Sequence, residues 1–193
     1  MTSQTTRFLC YLVTLVPLLL CTRAEAAGGK YRRTVADYSM PDVLLVNQDG
    51  QKVRFKSFIE QSDQPVLLDF IYGTCTTICP ILSAGFASLQ RKLGPEASKV
   101  RLVSITIDPE HDNPRVMKDY LKRFRAKPGW DFMTGSRADI DRVMRAFDAY
   151  IPNKMSHYQI MLIRSPRDGR WTRVMELVSS ADIMAEYRQA GAK

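Results

Sequence analysis

The chain has 193 residues, a formal charge of +8 and two histidines, with 45% hydrophobic and 25% charged residues. That length suits one domain with enough chain to bury a core. The basic balance lacks an aromatic-interleaved basic motif, which argues against nucleic acid; it suits an anionic membrane surface or an acidic partner protein, a plain solvated surface being the commoner reading.

Arg7, an apolar stretch from Phe8 to Cys21, and then Ala24-Glu25-Ala26 read as a secretory signal with an A-x-A cleavage site. The stretch is shorter than the roughly 20 residues of a bilayer span, so cleavage after Ala26 is favoured over a retained anchor. Leu18-Leu19-Leu20 before Cys21 lacks the small residues of a lipidation site. Removing residues 1–26 takes away Cys10, Cys21, Arg7, Arg23 and Glu25, leaving Cys75 and Cys79 as the only cysteines and a charge of +7. One bridge across three residues cross-links almost nothing, so a disulfide-built scaffold is excluded. The expected location is outside the cytoplasm, in the periplasm or at the outer face of the cytoplasmic membrane, with peripheral attachment to that membrane.

Residues 27–37 show no sustained period and read as a linker. Val43 to Val46 and Val53 to Phe55 flank Asp49-Gly50, which predicts a hairpin. Pro65 to Ile71 is an apolar run of central-strand type. Ile81, Leu82, Gly85, Phe86, Leu89 and Leu93 then recur at helical spacing up to Gly94-Pro95. Val100 to Ile107 predicts a second buried strand, and Asn113-Pro114 opens a helix with Val116, Met117, Tyr120, Leu121 and Phe124 as its stripe. Trp130 to Met133 is a short strand, Ser136 caps a helix through Ile140, Val143, Met144 and Phe147, and Tyr158 to Ile163 pairs with Trp171 to Met175 across Ser165 to Gly169. Ser180 opens a last helix. Strands alternating with helices before a terminal hairpin predict an α/β fold: a thioredoxin-like mixed sheet flanked by helices, with an N-terminal hairpin extension, over residues 38–193.

The run Asp69 to Pro80 delivers two thiols from a buried strand to the start of a helix. Pro80 places that start, since proline is favoured in the first turn. Both sulfurs are expected to feel the unpaired amides there, favouring thiolate, which redox exchange and metal binding both require. A disulfide needs Cβ atoms about 3.8 Å apart, whereas neighbours one helical turn apart stand about 5 to 6 Å apart. Two bonds of about 2.3 Å to zinc tolerate a wider gap, so the spacing leans toward a metal without forbidding a disulfide. A metal needs a third ligand, and His157 and His111 are the histidines. Two soft sulfurs and one imidazole suit copper, thiolate favouring Cu(I) and nitrogen supporting Cu(II), whereas zinc wants a fourth ligand.

These residues resemble the SCO/SenC family of thioredoxin-fold copper proteins, which assist assembly of the copper centre of cytochrome c oxidase. The likeness is carried by Cys75-Thr-Thr-Ile-Cys79-Pro80, by Ser104 to Asp112, by Gly129 to Gly135, and by His157 ahead of an apolar strand. It implies that Cys75, Cys79 and His157 ligate copper, as Cu(I) or Cu(II), one per chain. It also implies a metallochaperone that transfers copper to a cytochrome c oxidase subunit or another copper-handling protein, and not a turnover enzyme. Gly73, Thr76 and Ile78 depart from the family's usual Tyr-Thr-x-Cys-Pro-x-x-Cys-Pro pattern and its acid before the second cysteine. The rival reading is a thiol-disulfide reductase without metal, in which Cys75 attacks and Cys79 resolves. The resemblance makes Asp108 and Asp112 neighbours of the copper site, although locally they read, with His111, as turn and capping residues. Met155 reads as a packing methionine, and Lys118, Lys122, Arg123, Arg125 and Lys127 as a solvated helix face.

Overall fold

One eight-stranded sheet organises the computed structural model, which describes residues 31–191. The signal expected over residues 1–26 lies outside the described residues. In chain order the elements are β1 (Arg32–Ala36), β2 (Leu44–Asn47), β3 (Lys52–Arg54), α1 (Phe55–Glu60), β4 (Val66–Ile71) and α2 (Cys79–Leu93). There follow β5 (Arg101–Thr106), α3 (Pro114–Arg123), β6 (Trp130–Thr134), α4 (Arg137–Ala146), β7 (Ile160–Arg164), β8 (Trp171–Met175) and α5 (Ser180–Gln189). Two 3₁₀ turns, Gly94–Lys99 and Lys154–Ser156, precede β5 and β7.

The strand order is β1-β8-β7-β4-β5-β6-β2-β3, with β4, β5 and β6 parallel and the remaining pairs antiparallel. The parallel centre is buried on both faces, which is why β4 is buried at all six positions. Asp69, Ser104 and Phe132 share one face through the register, and Tyr120 of α3 packs edge-on against Phe132 while its hydroxyl meets Ser83 of α2 at 2.8 Å. α5 joins this layer, with Ile183 against Gly85. On the opposite face Phe147, at the end of α4, packs edge-on against Phe70, Trp171 and Tyr38. Arg173 of β8 donates to the carbonyls of Phe147 and Asp148, placing a cation where the α4 carbonyls lack partners. The mixed, two-sided thioredoxin-like sheet expected from the sequence is therefore present.

Two segments differ from expectation. The presumed linker contains β1, which pairs with β8 over five residues. Its Arg33 and Tyr31 supply the hydrogen bonds that the buried carboxylate of Glu186 on α5 requires, at 3.1 and 2.8 Å. Phe55, read as strand, instead opens α1, and Phe55 and Ile59 are buried one turn apart. α5 starts with a reciprocal capping box between Ser179 and Asp182. Ser179→Ala should cost about 1 kcal/mol, read as a lower denaturant midpoint at unchanged slope.

Candidate metal centre

β4 stops at Ile71, and the chain crosses Tyr72, Gly73 and Thr74 before α2 begins at Cys79, with Pro80 in its first turn. Ile78 caps that helix without a side-chain hydrogen bond. The orphan amide of Cys79 is thus free to donate to Cys75 Sγ, at 3.4 Å. Both cysteines are free thiols, Cys75 7% exposed and Cys79 fully buried.

Their electrostatics diverge. Burial opposes charge on Cys75, but the Cys79 thiol and amide and Thr77 donate to its sulfur, and together they bring the thiol down to about 7. Cys79 goes the other way: burial, then its hydrogen bond to Cys75 and the neighbouring Cys75 and Asp69 charges, push it far above the ordinary thiol range. The expectation that the helix end activates both sulfurs is corrected, because its first amide points at Cys75 and Cys79 is the donor in the pair.

His157 follows the 3₁₀ turn Lys154–Ser156 and precedes β7, which begins at Ile160. Both ring nitrogens are shielded from solvent without a hydrogen-bond partner of ordinary geometry. Burial lowers its pKa, opposed by the Phe70 backbone, which favours the neutral ring with a lone pair available. Among the described residues, no group of three His, Cys, Asp or Glu side chains stands close enough together to hold a metal ion. The fold thus brings Cys75 and Cys79 together and leaves His157 beside them, across Tyr72, whose ring centroid is 6.5 Å from the imidazole.

Tyr72 is the residue that the sequence reading missed. Its amide carbonyl accepts from Cys75 N at 3.2 Å, and its phenol is pushed up to about 12 by burial and by the Cys75 charge. Its hydroxyl stands 3.9 Å from Met155 Sδ. Met155 itself is 76% exposed, which corrects its reading as a packing residue. Position next to the dithiol loop was the available signal for Tyr72.

Asp108 and Asp112 are also more than turn residues, since both are buried and the cap of α3 is Asn113. Asp112 accepts from Gly73 N at 3.0 and 3.1 Å and from Thr106 Oγ1 at 2.5 Å, fixing the loop that carries Cys75. Asp108 bonds His111 Nδ1 at 2.9 Å and Lys154 Nζ at 2.5 Å.

The SCO1/SenC family model matches residues 33–189. A SCO1 protein homolog of Bacillus subtilis is 32% identical over 150 residues, covering 76% of this chain and 74% of that protein. A putative copper-binding protein of Stutzerimonas stutzeri is 31% identical over 143 residues, covering 68% and 67%. Among solved structures, BsSco, described as a Sco-family cytochrome c oxidase assembly protein with a disulfide switch, superposes with a TM-score of 0.65 at 29% identity, over 79% of this chain and 93% of that one. Bradyrhizobium japonicum ScoI with copper bound gives 0.62 at 28%, over 76% and 96%. With residues 33–189 matched by the family model and a relative 32% identical over 76% of the chain, the chain belongs to the SCO1/SenC family.

Proposed function

We propose that this chain is an exported copper metallochaperone in which Cys75, Cys79 and His157 ligate one copper ion and pass it to a cytochrome c oxidase subunit by ligand exchange. The observation that carries the reading is chemical. One thiolate-prone sulfur, one adjacent thiol and one neutral imidazole with both nitrogens unpartnered lie at one end of the sheet. That donor set fits copper: thiolates favour the monovalent ion and the imidazole supports the divalent one. The copper-bound relative and the relative named as copper-binding support the same ion. Export rests on the leader at residues 1–26, and no helix among the described residues is long and apolar enough to cross a membrane.

Titrating reduced protein lacking residues 1–26 with copper should give one ion per chain and a sulfur-to-copper absorption band. His157→Ala should shift that band and weaken binding, and Cys75→Ser should abolish it. Binding unchanged in His157→Ala would remove the histidine from the site.

The thiol asymmetry also suits thiol-disulfide exchange, with Cys75 attacking and Cys79 resolving. A mixed disulfide trapped on Cys79→Ser in a metal-free preparation would favour this second reading.

A further inference from the structure

We propose that Lys154 is a positioning residue: its ion pair with Asp108 latches the turn that carries His157 onto the loop that also holds the Cys75 segment, and so sets where the imidazole stands relative to the dithiol. The inference rests on the copper reading above and concerns how the third ligand is held.

The turn has little else to hold it. Its backbone bonds are local: Met155 N donates to Asn153 Oδ1 at 2.9 Å, Ser156 N to Asn153 O at 2.9 Å, and His157 N to Lys154 O at 3.2 Å. Met155 and Ser156 are exposed. Beyond the ion pair, the contacts of this segment to the body of the protein among the described residues include the Lys154 ammonium 5.4 Å from the Tyr72 ring centroid, the 3.9 Å approach of the Tyr72 hydroxyl to Met155 Sδ, and the His157 ring edge-on to Tyr72 at 6.5 Å. These are weak beside a charge-assisted bond to a buried carboxylate.

The receiving end is rigid. Asp108 is 3% exposed, its amide donates to Thr106 Oγ1 at 2.9 Å, and its carbonyl accepts from His111 N and Asp112 N. Thr106 in turn donates to Asp112, which grips Gly73 N two residues before Cys75. A continuous set of hydrogen bonds therefore runs from the His157 turn to the Cys75 loop through one aspartate on each side. Burial works against the Asp108 charge, yet Lys154 and His111 hold its carboxyl below the ordinary range.

A latch is separable from a simple charge effect by sign. Acting through charge alone, Lys154 repels a bound cation and Asp108 attracts it, so Lys154→Met would tighten copper binding and Asp108→Asn would weaken it. Acting as a latch, the pair must be intact, and both variants weaken binding, each by about tenfold. Reduced protein would be titrated anaerobically with a copper(II) salt alone, comparing the parent, Lys154→Met, Lys154→Arg, Asp108→Asn and His157→Ala by absorption and spin resonance. Amide hydrogen exchange across residues 154–158 would be measured on the same proteins without copper.

The expected result is weaker binding in Lys154→Met and Asp108→Asn, a reduced nitrogen signature in their spectra, several-fold faster exchange across the turn, and near-parent behaviour in Lys154→Arg. Lys154 is a third exposed, so Lys154→Met keeps the fold and decides the sign even if Asp108→Asn does not. Unchanged or tighter binding in Lys154→Met, with His157→Ala still defective, would overturn the latch alone. Parent-like binding in His157→Ala would overturn the ligand assignment and the latch with it.

Discussion

At pH 7, iodoacetamide should modify Cys75 and leave Cys79 essentially untouched, and the rate of that single reaction should climb with pH to a plateau with its midpoint near 7. Only the thiolate reacts, and Cys75, held down to about 7, is far more thiolate-prone at that pH than Cys79, whose thiol is held well above the ordinary range. The Cys75 peptide should be labelled far faster than the Cys79 peptide, read by mass spectrometry. Cys79→Ala removes the thiol that donates to Cys75 and should move the midpoint upward, while Cys75→Ser should leave a nearly inert protein. Equal labelling of both cysteines would contradict the asymmetry. The same asymmetry bears on the proposed metal loading: with both sulfurs as copper ligands, Cys79 must shed its proton, so copper binding should release protons and its apparent affinity should rise with pH.

What the sequence disclosed about this fold depended on whether the information was local. α2 was readable because Pro80, the apolar positions from Ile81 to Leu93 and Gly94-Pro95 mark its start, face and end within one stretch. β1 was not, because Arg32 to Val35 are exposed on an edge strand and carry no buried face to set a period. α1 was lost because six residues hold too few turns for a stripe to show. At the proposed site, Cys75, Cys79 and His157 were singled out from residue type and resemblance. Which sulfur carries the charge could not be read from either, since that turns on depth and on the direction of one amide. Lys154 and Asp108 stand 46 positions apart, and no local pattern joins them. Asp69 was read as part of a strand, and its environment appears only when β5 and α2 close over it.

Asp69→Asn should alter the pH dependence of stability more than any other single change on this face of the sheet. Asp69 is 1% exposed, and neither carboxylate oxygen has a hydrogen-bond partner of ordinary geometry. Its side chain borders a cavity of about 20 Å³ whose lining includes Leu82, Phe86, Met161 and Ile183. Burial raises the carboxyl from 3.8 to about 7, and the adjacent Ser104 hydroxyl offsets this only in part. In the unfolded chain the proton leaves near 3.8 and in the folded chain near 7. Between those values the folded state binds more protons, so stability falls as pH rises through the window and is level above it. The loss amounts to about 4 kcal/mol by pH 8. Asparagine does not titrate, so the stability of Asp69→Asn relative to the parent should improve by that amount between pH 4 and pH 8, measured as denaturant midpoints. Parallel curves for the two proteins would place the carboxyl in a more polar setting than its contacts describe. The strain also has a chemical consequence, because the Asp69 charge is among the causes that raise Cys79. Removing it should ease deprotonation of the buried thiol, so the variant that gains stability at neutral pH should also release its second thiol proton at lower pH on binding copper.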